Sequence, residues 1–368
     1  MQQMPTSRGS IRSCYKQSCL SPTAPWSDVE VRMQSCCTVL AGQSDDRLLS
    51  KIDRLDVGAA LEVLCREDFD AGVVRENAGQ LQYFQLSSGR DFFQVQYNPT
   101  RAARPSGAVA AETCRLCLDT IVGRGQQRYV SLDLNGRRYA ALANPYPYMP
   151  SHTTIVSSRH EPQLADAGAG RSRDGRWKRI TEDLFALTSA LADFVVIYNG
   201  PDAGATIPVH FHYQACRPPA GLDMLPIQAA AASIRRRGRS SVVRVGPDTG
   251  YPLVAFRVDW GERTPLVAST ILAQWDTIQG AAASANLLGL TEGGRPCVYL
   301  VPRNRLFRRA AGFSGLPGAL ECGGVFVATT DSEYARLETG QLSADRLASV
   351  LAGVRPSAAV RLRWRKGA

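Results

Sequence analysis

Tyr198-Asn-Gly-Pro-Asp-Ala-Gly-Ala-Thr-Ile-Pro-Val-His-Phe-His-Tyr-Gln214 leaves an apolar run, crosses a loop of small residues and closes on His210-x-His212-x-Gln214. Alternate side chains of a strand share a face, so positions 210, 212 and 214 project together. Two imidazoles and an amide on one face make a poor core. They make a good setting for a nucleophile and its supports. The chain holds four histidines, His152, His160, His210 and His212, and no other stretch carries one.

Composition sets the frame around that strand. With 368 residues, 44% of them apolar and 21% charged, the chain can build two domains or one large duplicated one. The net charge of +10 rests on arginine and points to phosphate-bearing partners. No Lys/Arg run is interleaved with aromatics, and the densest basic cluster, at 235–239, reads as a loop or helix end. Small phosphorylated ligands are therefore expected, with no nucleic acid. Ten cysteines in a chain this long need not be disulfide staples, so a reducing cytoplasm is the expected location. No apolar stretch reads as a signal or a membrane span, and no membrane partner is expected.

Patterning outward from the histidine strand gives the elements. Helical spacing runs over 46–66, 177–193, about 267–284 and 343–352. Strand patterns fall at 92–97, 138–143, 153–156, 194–198, 253–258, 297–303 and 324–328. Strands and helices mix without regular βαβ units, which favours an α+β fold with antiparallel sheets. The expected divisions are a poorly ordered extension at 1–45, a catalytic half at 46–235, a second, non-catalytic half at 236–356 and a basic tail at 357–368. The two halves share a coarse order of strand, helix, strand and loop.

The chemistry follows from residue types. A nucleophilic histidine needs a neutral ring and a partner on its other nitrogen. His212 attacking phosphorus would give a phosphoramidate, with His210 as its support. Gln214 supplies an amide donor for the phosphoryl oxygens. The loop from Gly200 to Thr206 supplies backbone N–H groups, and Gly204 and Ala205 allow close approach. Asn199 stands at its entrance. Arg101 and Arg303 read either as phosphate clamps or as surface and ion-paired arginines. Cys114-x-x-Cys117 has the spacing of half a tetrahedral zinc site and equally that of a reduced pair; His160 and His210 are candidate partners.

These motifs resemble the histidine-triad superfamily. They run in the order Asn144-Pro-Tyr-Pro, His152-Thr-Thr-Ile-Val, His160-Glu-Pro-Gln163, Asn199-Gly, Gly204-Ala-Thr and His210-x-His212-x-Gln214. The likeness is nearest to the transferase branch, which holds galactose-1-phosphate uridylyltransferase, diadenosine tetraphosphate phosphorylase and the GDP-hexose phosphorylases. Gln94-Val-Gln-Tyr-Asn-Pro-Thr-Arg101, Cys114-Arg-Leu-Cys117 and Val301-Pro-Arg303 look closer still to the DUF4922 family.

The resemblance implies a HIT-like sheet with flanking helices, duplicated in two halves. It implies a nucleotidyltransferase or phosphorylase working by double displacement through a nucleotidyl-His212. Its substrate would be an NDP-sugar or a dinucleoside polyphosphate, with phosphate or a sugar phosphate as co-substrate. Gln214 in place of a third triad histidine is what separates transferases from hydrolases. Substrate contacts fall by the same likeness on Asn199, Gly200, Gly204, Ala205, Thr206, His152, Arg101 and Arg303. Zinc ligands fall on Cys114, Cys117, His160 and His210, and a homodimer is compatible with the relatives. A hydrolase with water as acceptor, and a nucleotide-binding regulator without turnover, are the rival readings.

Overall fold

A computed structural model describes residues 37–41, 55–75, 81–88, 91–103, 114–126, 128–164, 173–234, 241–259, 261, 263–306 and 316–361. The basic cluster at 235–239, most of the 1–45 extension and the tail beyond 361 lie outside the described residues. The first part of the chain forms β1 (Cys37–Ala41), α1 (Val57–Asp70), β2 (Gln82–Ser88), β3 (Asp91–Tyr97) and α2 (Leu118–Gly123). β4 (Val130–Leu134), β5 (Arg137–Ala143), β6 (Thr153–Ser157), α3 (Arg173–Ala190), β7 (Val195–Asn199), β8 (His212–Cys216) and α4 (Pro226–Ala232) follow. Then come β9 (Val242–Val245), β10 (Ala255–Asp259), α5 (Thr264–Gln279), β11 (Ala283–Glu292) and β12 (Arg295–Asn304). α6 (Ala319–Cys322), β13 (Val325–Ala328), α7 (Asp331–Glu338) and α8 (Ala344–Gly353) complete the set.

One large sheet carries the order β1-β4-β5-β6-β8-β7-β11-β12-β10-β9. Its neighbours pair antiparallel throughout, as the α+β reading expects. The order β5-β6-β8-β7 on one side is matched by β9-β10-β12-β11 on the other. Helix α3 enters between β6 and β7, as α5 enters between β10 and β11. This is the duplicated arrangement, and β7 against β11 is its seam. There Asn199 lies directly opposite Asn286. A second, smaller sheet pairs β13 parallel with β3, so a late segment closes on an early one.

Local chemistry sets the boundaries. Asn135 and Gly136, both at positive φ (52° and 74°), form the two-residue turn that joins β4 to β5. Gly293 and Gly294 do the same between β11 and β12. Of the helix expected over 46–66, residues 46–54 lie outside the described residues; α1 starts at Val57, where the Asp56 carboxylate accepts from the Ala59 N–H at 2.8 Å. The helix expected to reach 284 ends at Gln279, followed by Gly280 at φ 58°. The alanines beyond it, good helix formers by propensity, belong instead to the approach and start of β11. Strand β1 falls within the stretch read as poorly ordered and pairs with β4.

The large sheet is covered on both faces, which is why Val195-Val-Ile-Tyr198 reads as an unbroken apolar run. On one face Trp177, Leu184 and Leu187 of α3 and Ile271 and Trp275 of α5 pack over Tyr198, Tyr213 and Leu287. On the other, Phe93, Phe326 and Leu347 pack with Ile197, Leu288 and Tyr299. No helix among the described residues is long and apolar enough to cross a membrane.

The tightest helix–sheet contact tests this packing. A Cβ on Gly289 of β11 would stand 1.9 Å from the Thr188 hydroxyl oxygen of α3. Gly289→Ala is therefore expected to cost about 1–3 kcal/mol in a denaturant titration. Adding Thr188→Ala should recover most of that loss. An unchanged midpoint in the single variant would refute the contact.

Candidate active site

Strand β8 divides its side chains as its alternation requires. Phe211, Tyr213 and Ala215 enter the helix-side core, while His212 and Gln214 face a cavity on the other side. His212 is 5% exposed. Its backbone is gripped at both ends by one side chain: Gln163 Oε1 accepts from the His212 N–H and Gln163 Nε2 donates to the His212 carbonyl, each at 2.8 Å. The ring Nδ1 lies 2.8 Å from the His210 carbonyl oxygen. A carbonyl only accepts, so Nδ1 carries the proton and Nε2 keeps its lone pair. Burial holds the His212 imidazole down at about 4, against a smaller opposing pull from the His210 carbonyl. The ring is neutral at ordinary pH.

The cavity encloses about 940 Å³, ample for a nucleotide. His212, Gln214, Asn199, Gly204, Ala205, Thr206 and Arg101 all line it, with a wall from Leu316 to Glu321. Two amides present donors to it in the same way. Gln214 Oε1 accepts from His152 Nε2 at 2.9 Å and from the Tyr148 hydroxyl at 3.2 Å, which leaves its –NH2 for the cavity. Asn199 Oδ1 accepts from the Ala319 N–H at 2.7 Å and from Asn286 Nδ2 at 2.9 Å, which leaves its –NH2 likewise. Arg101 donates to the Tyr146 carbonyl and stacks 4.7 Å from the Tyr148 ring centre. Gly204 sits at φ +100°, and a Cβ there would meet the Gly318 Cα at 2.4 Å. Only glycine serves at that meeting of loop and wall.

Three expected substrate contacts are placed elsewhere. His152 is buried, does not line the cavity and puts its Nε2 on Gln214 Oε1. Gly200 packs on β11, where a Cβ would meet the Ser284 hydroxyl at 2.4 Å. Arg303 is fully buried behind the wall and does not reach the cavity. Its apolar strand neighbours, Val298 to Val301, mark an interior strand, and that signal was available in the sequence. Gln163, Tyr148 and Asn286 were given no role by sequence reasoning, although Gln163 closes a quoted motif.

The cysteine pair meets its expected partners. Ligand atoms of Cys114, Cys117, His160 and His210 lie within 4.8 Å of one another. Cys114 Sγ is 3.3 Å from His210 Nδ1, and Cys117 Sγ is 3.3 Å from His160 Nδ1. His210 Nε2 is 2.9 Å from the Ser157 carbonyl, so it carries the proton and turns a bare Nδ1 to the sulfurs. That is the second-shell bond a metal-bound histidine requires. Burial, with Cys114 beside it, pushes the Cys117 thiol up to about 11. A cation would draw those protons off, and two sulfurs with two nitrogens suit a tetrahedral ion. The residues fit a metal.

Known proteins share this frame. Galactose-1-phosphate uridylyltransferase of Lactococcus lactis subsp. lactis (strain IL1403) is 25% identical over 126 residues, 32% of this chain and 23% of that one. The enzyme of the same name from Staphylococcus saprophyticus subsp. saprophyticus is 24% identical over 176 residues, 44% of this chain and 32% of that one. The chain thus spans about a quarter to a third of the length of these curated relatives. The crystal structure of yeast Ap4A phosphorylase Apa2 superposes with a TM-score of 0.54 at 16% identity, covering 85% of this chain and 95% of that one. The motifs and matched relatives support a likeness to the transferase branch of the histidine-triad superfamily, and the fold is similar to that of Ap4A phosphorylase. Residues 72–217 match the family described as Domain of unknown function (DUF4922).

Proposed function

We propose that this chain is a nucleotidyltransferase of the phosphorylase type, acting on an NDP-sugar or a dinucleoside polyphosphate through a nucleotidyl-His212 intermediate. One observation carries the reading: a neutral, backbone-clamped His212 with Nε2 open to a cavity that two pinned amides also face. The Nε2 lone pair attacks the α-phosphorus. The P–N bond forms as the bond to the departing phosphate oxygen breaks, and that oxygen leaves with the electron pair. The ring gains positive charge, and its Nδ1–H stays on the His210 carbonyl. Gln214 and Asn199 donate to the phosphoryl oxygens as charge gathers there. An oxygen of phosphate or a sugar phosphate then attacks the same phosphorus, breaks the P–N bond and returns a neutral His212.

Arg75, Arg101, Arg115 and Arg124 line the outer cavity and favour a polyanionic substrate. Zinc is the metal proposed for Cys114, Cys117, His160 and His210, with a structural role: it would fix the His210 main chain on which His212 rests. The relatives named above act on a sugar phosphate or on Ap4A by their titles, which supports both substrate classes.

Phosphorolysis of a panel of NDP-sugars and dinucleoside polyphosphates tests the reading. Turnover should require inorganic phosphate or a sugar phosphate. Hydrolysis at the same rate without either would make the chain a hydrolase, and binding without turnover of any donor would make it a regulator.

A further inference from the structure

Arg303 is 0% exposed, and no salt bridge pairs it among the described residues. Its Nη1 donates to Asn286 Oδ1 at 2.6 Å, to the Pro317 carbonyl at 2.7 Å and towards Cys322 Sγ at 3.3 Å. Its Nε and Nη2 have no hydrogen-bond partner. A lone buried cation is expensive, and apolar replacements of such groups are often neutral or stabilising. Stability is thus a weak reason for its presence.

Its hydrogen bonds supply a better one. A guanidinium only donates, so it fixes which end of the Asn286 amide is oxygen. The Asn286 –NH2 must then point away, and both its hydrogens are used: on Asn199 Oδ1 at 2.9 Å and on the Ala203 carbonyl at 2.5 Å. Asn199 is thereby made to offer its oxygen inward and its –NH2 to the cavity. The same arginine holds Pro317, next to Gly318 and Ala319 of the wall, and the Ala319 N–H is the other donor to Asn199.

We infer that Arg303 and Asn286, both in the second half, are positioning residues that set the donor polarity of Asn199 across the seam. The second half, which carries no histidine, would then serve the reaction by orienting one amide of the first. This rests on the phosphoryl-transfer reading of the cavity, because a donor is useful there only if an anion binds.

Asn286→Asp isolates the effect in the full-length chain. The carboxylate keeps its contact with Arg303 but has no hydrogen to give. Asn199 must turn its –NH2 back to it and present an oxygen to the substrate. The rate of His212 labelling by an α-labelled nucleotide should fall about 100-fold, the scale of a lost oxyanion donor. Arg303→Met should lower the same rate per folded molecule. Labelling of Asn286→Asp at the wild-type rate would overturn the inference. So would a fall in stability in Arg303→Met with an unchanged rate per folded molecule, which marks a merely structural role. Failure of the wild type to label with any donor counts against the proposed function instead. In that case calorimetry with AMP and UMP decides the relay. Weaker binding by Asn286→Asp supports it; equal binding, or none by the wild type, ends it.

Discussion

His212→Ala protein, incubated with the α-labelled donor that marks the wild type, retains no covalent label, and its turnover falls by roughly four orders of magnitude or more. The size of the effect follows from the geometry. In the proposed mechanism the nucleophile is Nε2 of His212, which opens to the cavity beside two outward-facing amides, and no other histidine lines that cavity. The other three are committed: His152 to Gln214, and His160 and His210 to the cysteines. The label on the wild type should be lost in acid and kept in base, as a phosphorus–nitrogen bond requires. The substitution should leave the fold intact, because the grip of Gln163 is on the backbone at 212 rather than on the ring. Circular dichroism and melting checks that. A labelled His212→Ala protein would place the nucleophile elsewhere and remove the proposed mechanism.

Loss of the metal is the second large effect expected. Purified protein should carry close to one zinc per chain, and Cys114→Ser should carry little. The donors come from the turn before α2, the segment after β6 and the loop before β8, so the ion would tie together elements far apart in sequence. Without it, two sulfurs and two imidazoles stay crowded with no charge to draw their protons off. A cost of about 3 kcal/mol or more is reasonable for such a site, which in a chain this long lowers the melting temperature by about 4 °C or more. Activity should fall with it, because the His210 carbonyl that holds His212 sits on a ligand residue. Protein purified without chelator that holds no metal and melts unchanged as Cys114→Ser would end the proposal.

Much of this arrangement could be read in the sequence, for definite reasons. The shared face of His212 and Gln214 follows from strand alternation, with Tyr213 in the helix-side core as its complement, whereas His210 precedes β8 and turns to the cysteines instead. The cysteine pair and two histidines could be matched through motif order. Other features were hidden. Arg303 reads either as a phosphate clamp, because a guanidinium suits bidentate phosphate contact, or as a surface or ion-paired arginine. The one cue is the apolar run beside it, Val298 to Val301, which marks an interior strand, and β12 lies in the interior of the sheet. His152 was expected as a substrate contact only through the resemblance. Its ring instead lies against Tyr148, at 3.9 Å between centres, with Gln214 in reach. Asn286 gave no signal, since its role depends on a pairing across the seam. The alanines before β11 drew the helix too far, because propensity cannot see that the next strand is needed at the centre of the sheet.

The seam has a consequence for motion. Most two-lobed enzymes open by swinging one lobe about a linker, but here the lobes are one continuous sheet, joined in register from Asn286 opposite Asn199 to Gly289 opposite Val196. A swing would have to tear that ladder and the amide pair at its end. If the proposed function holds, nucleotide entry and product escape would fall to loops and side chains at the cavity mouth, on the timescale of loop rearrangement rather than of lobe closure. The floor on which His212, Gln214 and Asn199 stand would keep its shape throughout.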